Sequence, residues 1–112
     1  MAKPQNRPYS QYSLKAMQLL GQLVREGRLA KGFNTTDLAA RAGVSRTLLA
    51  RIEQGDPGCS MGAALEVAAL CGVTLFESDE NALNLRLSRQ SEKLALLPKS
   101  VRAAKRVVDD DF

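Results

Sequence analysis

An all-α fold, carrying one short strand and a helical extension, is predicted by three features of the sequence. Two short apolar-periodic segments stand back to back between Asn34 and Gly55, each opened by a capping residue and each closed by a glycine. Longer segments with helical spacing flank them, over residues 13–31 and 60–72 and again beyond Asp79. Residues 73–77, by contrast, are β-branched and aromatic without helical spacing. At 112 residues the chain is one domain with tails, large enough for one modest core.

Residues 1–12 hold Asn6, Gln5 and Gln11 between Pro4 and Pro8, with too little apolar surface to fold alone, and are expected to form a flexible arm. The arm is either an unstructured leader or a basic strap in which Lys3 and Arg7 follow a polyanion. Ser13 is the expected cap of a helix running to about Lys31, with Leu20, Val24, Met17 and Leu23 facing inward and Gly32 ending it. Gly21 and Gly27 each cost about 1 kcal/mol relative to alanine inside a helix, so they are read as places where another helix comes close. Phe33 then turns toward the core.

Asn34 caps the next helix, with Asp37 favourably placed in its first turn. Leu38, Ala39 and Ala42 share one face, and Gly43 supplies the positive φ of a tight corner. Ser45 caps the second short helix, whose apolar face is Leu48, Leu49 and Ile52, up to Gly55. The Asp56-Pro57-Gly58 turn stops it, and Ser60 caps a helix with Ala64, Leu65, Ala68 and Cys71 inward, ending at Gly72. Val73, Thr74, Leu75, Phe76 and Glu77 are expected as a strand too short to stand without a partner strand. Beyond Asp79, Leu83, Leu85 and Leu87 alternate, whereas Leu83, Leu87, Leu94 and Leu97 follow helical steps. One or two helices ending at Pro98 are predicted, with Ser88 or Ser91 as a restart point. From Lys99 onward, Arg102, Lys105 and Arg106 precede Val107, Val108, three aspartates and Phe112, the pattern of a solvated tail or a docking segment. The expected organisation is therefore an arm over 1–12, a domain over 13–77 and an extension over 78–112.

Sixteen lysines and arginines against twelve acids give a net charge of +4, and Asp109, Asp110 and Asp111 concentrate three of those acids at the end. The rest of the chain is more basic than the total, which favours a polyanionic partner. No apolar run approaches the ~20 residues that span a bilayer, so a cytoplasmic, nucleoid-associated protein without membrane contact is expected. There is no histidine, no glycine-rich phosphate loop and no nucleophile–base pair, which argues against an enzyme. Cys59 and Cys71 have no metal-ligand spacing; no metal and no cofactor are expected, and Cys71 reads as a small core residue.

Ala39, Gly43, Val44, Leu49 and Ile52 fall on the fixed spacing of the helix-turn-helix signature. The segment from Leu20 to Val73 resembles the five-helix domain of the Xre and lambda-repressor type. Within that class, the run Ser-Arg-Thr-Leu-Leu-Ala-Arg-Ile-Glu-Gln-Gly-Asp-Pro-Gly followed by Ser60-Met61-Gly62 is similar to HipB-like antitoxins. The resemblance implies a structural ion pair between Arg28 and Glu53, and a homodimer in which the strand 73–77 pairs with its symmetry mate. It further implies a repressor that binds an inverted-repeat DNA operator and neutralises a HipA-like kinase toxin; a stand-alone Xre-type regulator is the alternative. A purely structural adaptor is a third class.

The second helix of such a motif lies in the major groove, which puts Arg46 and Thr47 at its leading end and Arg51 one turn on. Arginine can bond guanine O6 and N7 together, and threonine can meet a thymine methyl or a polar base edge. Ser45 and Thr35 are placed for phosphate contacts, as are Ser60 and Gly62 at the start of the following helix. Leu48 is expected to pack rather than to touch DNA, and Arg41 to stay exposed or to meet the backbone.

Overall fold

The computed structural model describes residues 9–101, which form two compact units, the first ending at Thr74 and the second beginning at Leu75. The arm residues Lys3 and Arg7 and the tail from Arg102 to Phe112 lie outside the described residues. The all-α expectation holds, but the count differs. Five helices are present among the described residues, rather than a five-helix domain plus an extension. They are α1 (Gln11–Ala30), α2 (Thr35–Ala42), α3 (Arg46–Glu53), α4 (Met61–Leu70) and α5 (Glu80–Ala95). The first four make the first unit, and α5 is the helical extension.

Each helix starts on a side chain that accepts a backbone N–H. Asn34 Oδ1 accepts from Asp37, Ser45 Oγ from Leu48 and Ser60 Oγ from Ala63, all three as the sequence predicts. The cap of α1 is Ser10, not Ser13, so the helix begins two residues before Ser13 and takes in Gln11 and Tyr12 from the expected arm. Both serines satisfy the local rule. Asp79 caps α5, which continues unbroken past Ser88 and Ser91.

Helices α1–α4 also share one kind of ending. Around Gly32, Gly43, Gly55 and Gly72, all at positive φ, the glycine N–H and the N–H that follows both fold back onto the helix. Phe33 donates to the Arg28 carbonyl, Val44 to Ala39, Asp56 to Arg51 and Val73 to Ala68, which closes carbonyls that would otherwise be orphaned. The expected strand at 73–77 is absent. The Val73 N–H is spent on the end of α4, and the Phe76 carbonyl accepts from Arg86, which also pairs with Glu77 at 3.0 Å. Extended backbone needs a partner strand, and no described segment offers one.

In the first unit, α1 packs on α3 and α4, and α2 on α3 and α4. Val24, Leu38, Ala39, Leu49, Ile52, Ala64, Val67, Ala68 and Cys71 form the core. The five largest of these, Val24, Leu38, Leu49, Ile52 and Val67, are each 0–1% exposed and contribute roughly 1.5–3 kcal/mol apiece by leaving water. Two inward assignments are corrected. Leu23 and Leu65 are surface residues, and Val67 takes the core position on α4. That helix is apolar almost throughout, so its spacing alone does not single out a face. Leu48 packs against the core as expected, and burial pushes the Cys71 thiol above its ordinary range.

The α1 glycines are contact points. A Cβ on Gly21 would stand 2.5 Å from the Glu53 carbonyl oxygen and 2.7 Å from that of Ile52, and one on Gly27 would collide with the Cys71 carbonyl. Backbone lies against backbone here, and no side chain can yield. Gly21→Ala is expected to lower unfolding stability by about 1–3 kcal/mol despite alanine's better helix propensity. Gly62→Ala, where a Cβ meets nothing within 4 Å, should leave it within about 0.5 kcal/mol. Thermal or urea denaturation of the two variants measures the contrast.

Candidate nucleic-acid interface

The second helix of the central pair, α3, divides its eight residues by direction. Leu49 and Ile52 are buried, Leu48 is half-buried against the core, and Glu53 turns toward α1. Arg46, Thr47, Ala50 and Arg51 are exposed, with Gln54 just past the helix end. Four-residue steps put Arg46, Ala50 and Gln54 on one ridge and Thr47 and Arg51 on the next.

The first ridge borders an open groove. Its lining comes from three helices: Arg25 and Arg28 of α1, Thr35 at the start of α2, and Arg46, Thr47, Ala50 and Glu53 of α3, with Gln54 closing one end. Of the sequence-predicted contact residues, Thr35, Arg46 and Thr47 are brought together here. The Arg46 Nη1 donates to Thr36 Oγ1 at 3.5 Å, a long bond that steers the guanidinium without consuming it. Arg25 and Gln54 belong to the same lining and were not anticipated. Their signal was spacing, since Arg25 precedes Arg28 by three residues and Gln54 follows Ala50 by four.

Arg28 and Glu53 line the base of this groove and form an ion pair with each other. Arg28 Nε donates to Glu53 Oε2 at 2.7 Å and Nη2 to Oε1 at 3.3 Å, while Nη1 donates to the Phe33 carbonyl at 3.1 Å. Both side chains are 9% exposed. Hydrogen bonding to Glu53 raises the Arg28 pKa further above its ordinary value, outweighing the opposing effect of burial. These two charges satisfy each other. The groove's outward charge is therefore positive, from Arg25 and Arg46.

The remaining expected contacts stand apart from that lining. Arg51 Nε donates to Asp56 Oδ2 at 2.7 Å, and Asp56 Oδ1 accepts the Gly58 N–H at 2.8 Å. The Arg51 guanidinium, then the Gly58 amide, hold the Asp56 carboxyl below the usual carboxylate range. Ser45 and Ser60 are exposed and spend Oγ on their helix caps; Gly62 lies beside Ser60 in the exposed first turn of α4. Arg41 does not reach toward the groove: its guanidinium carbon sits 4.7 Å from the Phe33 ring centroid. Val73, Thr74, Leu75, Phe76 and Glu77 form a connector with exposed Leu75 and Phe76, not a paired strand.

Among the described residues no cluster of three metal-binding side chains occurs, and no helix is long and apolar enough to cross a membrane. The arrangement offers exposed guanidinium, hydroxyl and amide groups along one short helix, which is the chemistry that bonds base edges and phosphates. The sequence model of a family described as a helix-turn-helix domain matches residues 19–80, more than half of the chain. No curated protein and no solved structure matches it.

Because the groove is built on the Arg28–Glu53 pair, Glu53→Ala is expected to lower unfolding stability by about 3–5 kcal/mol by leaving Arg28 buried without its counter-ion. Arg25→Ala, on the exposed lip, should change stability by less than about 0.5 kcal/mol. Urea titrations followed by circular dichroism distinguish the two.

Proposed function

Since the chain belongs to the helix-turn-helix domain family, we propose that it is a sequence-specific DNA-binding transcriptional regulator that lays α3 in the major groove. The observation that carries this reading is the exposed face of α3, where Arg46, Thr47, Ala50 and Gln54 share one groove with Arg25 and Thr35. Arg46 is the base reader, bonding guanine O6 and N7; Thr47 meets a neighbouring base, and Arg51 lies at the edge of the same face. Gln54 has the amide that matches adenine N6 and N7. Thr35, Ser45, Ser60 and Gly62 contact phosphates and fix the docking angle, and Arg25 adds positive charge beside them.

Arg46→Ala should cost about 1–3 kcal/mol on the preferred duplex and relax the choice of base at one position. Thr35→Ala should weaken preferred and random duplexes alike. Fluorescence anisotropy on a duplex selected from a randomised pool, and on a random one, measures both. An unchanged ratio for Arg46→Ala would remove it as a base reader.

A single module touches few base pairs, so a homodimer on an inverted repeat, with half-sites about 34 Å apart, is part of the proposal. The second unit supports it. Leu83, Leu87, Gln90 and Leu94 of α5 recur at steps of four, three and four and are all exposed, the spacing of a short two-stranded seam. The finer reading is a HipB-like antitoxin that represses its own operon and neutralises a HipA-like kinase; a stand-alone Xre-type regulator is the alternative. Supporting the antitoxin is the run from Ser45 to Gly58 with Ser60-Met61-Gly62, together with an extension beyond the DNA-binding unit. Affinity purification from the native host followed by mass identification decides between them. The antitoxin reading expects a kinase in stoichiometric amount, and recovery of the homodimer alone leaves the stand-alone regulator.

A further inference from the structure

The four helix endings of the first unit are alike in backbone but not in side chains. Their shared motif brings together the side chains of the residue that accepts the last backbone bond and the residue that donates it. At the ends of α2 and α4 these pairs are apolar, Ala39 with Val44 and Ala68 with Val73, and they belong to the core or pack against it. At the end of α3 the pair is Arg51 and Asp56, whose side chains are 45% and 36% exposed. An exposed ion pair adds little to stability, and the same fold closes two other helices with hydrocarbon. Helix termination therefore does not account for these charges.

Their geometry is specific. The Asp56 backbone N–H donates to the Arg51 carbonyl at 3.0 Å, and its carboxylate is bonded at both oxygens, to Arg51 Nε and to the Gly58 N–H. The carboxylate is thus fixed by its own turn before it meets the arginine. It engages the guanidinium through Nε, and both Nη groups are left without a protein acceptor among the described residues.

We propose that Asp56 is a positioning residue for DNA recognition: it pins Arg51 by its Nε edge so that the Nη edge is offered to a base with two acceptors, guanine being the best match. The inference rests on the reading of α3 as the DNA-contacting helix. A pinned arginine loses less rotamer freedom when it bonds, and it no longer follows any phosphate within reach. The carboxylate also acts against DNA in general, because it places a negative charge beside a polyanion. Only a sequence that gives Arg51 its two acceptors offsets that repulsion. Asp56 thus raises discrimination by weakening the wrong complexes.

The test compares a duplex that the wild-type chain enriches from a randomised pool with a random duplex of equal length, using the full chain. In Asp56→Asn a single amide oxygen faces two donors and the charge is gone. Binding to the random duplex is expected to tighten three- to tenfold, and the ratio of selected to random affinity to fall about tenfold, at an unchanged melting temperature. In the Arg51→Ala background the same substitution should leave the ratio unmoved, because no arginine remains to be positioned. Arg51→Lys, which keeps the charge but has no Nε edge, should lower the ratio as far as Asp56→Asn and provides the measure if that variant melts early. A ratio held within twofold in Asp56→Asn and Arg51→Lys overturns the proposal, as does an equal fall in the Arg51→Ala background. Arg46→Ala separates the positioning role of Asp56 from DNA reading by α3 itself. If it lowers the ratio while Asp56→Asn does not, the positioning role alone fails; if the wild-type chain enriches no sequence, the DNA-binding reading fails and this inference with it.

Discussion

The fork that Arg28 makes on Glu53 and the Phe33 carbonyl is the contact on which the first unit depends. It is the one buried charged residue among those described, and it touches the end of α3 and the turn into α2 from its place on α1. Such a pair adds little net stability compared with hydrocarbon of the same volume, yet neither partner tolerates the loss of the other. What it contributes is geometry. Glu53 at the last turn of α3 is held on the α1 side, and the helical repeat then fixes where Arg46 and Ala50 must emerge. The guanidinium bond to Phe33 anchors the residue whose ring carries Arg41, so one buried charge organises both helices of the central pair.

Close backbone contact extends this control. Ile52 and Glu53 present their carbonyls to the bare Cα of Gly21, and Cys71 presents its carbonyl to Gly27, so α1 lies against the ends of α3 and α4 with no side chain between. The distance between α1 and α3 is set by atoms that cannot change rotamer. The groove between them is walled by that close contact, with exposed side chains at its lip.

Much of this was legible from local chemistry. Asn34, Ser45 and Ser60 cap, Gly32, Gly43, Gly55 and Gly72 terminate, and Ala39, Leu49 and Ile52 pack, because each role follows from a residue type at a fixed position in a helix. The errors share a cause. Ser10 and Ser13 are both competent caps, Leu65 and Val67 are both apolar on an apolar helix, and Val73 suits a strand as well as a helix ending. In each case two local solutions are nearly equal, and packing or a hydrogen-bond partner elsewhere in the chain decides. In the groove, Arg46 and Thr47 were visible from position in the motif, while Arg25 needed the knowledge of which side of α1 faces α3. Arg51 is exposed on α3, but its bond to Asp56 depends on a turn geometry that sequence does not specify.

Leu48, Leu49, Ile52 and Glu53 are committed to the fold, whereas Arg46, Thr47 and Ala50, with Gln54 just past the helix end, are exposed along the groove. These two sets share one short helix without sharing a position. On the proposed reading of α3 as the DNA-contacting helix, substitutions at these exposed positions exchange the target sequence while the core residues stay in place. The scaffold is in this sense neutral toward its own address, and duplicated copies are free to diverge in what they regulate long before they diverge in shape.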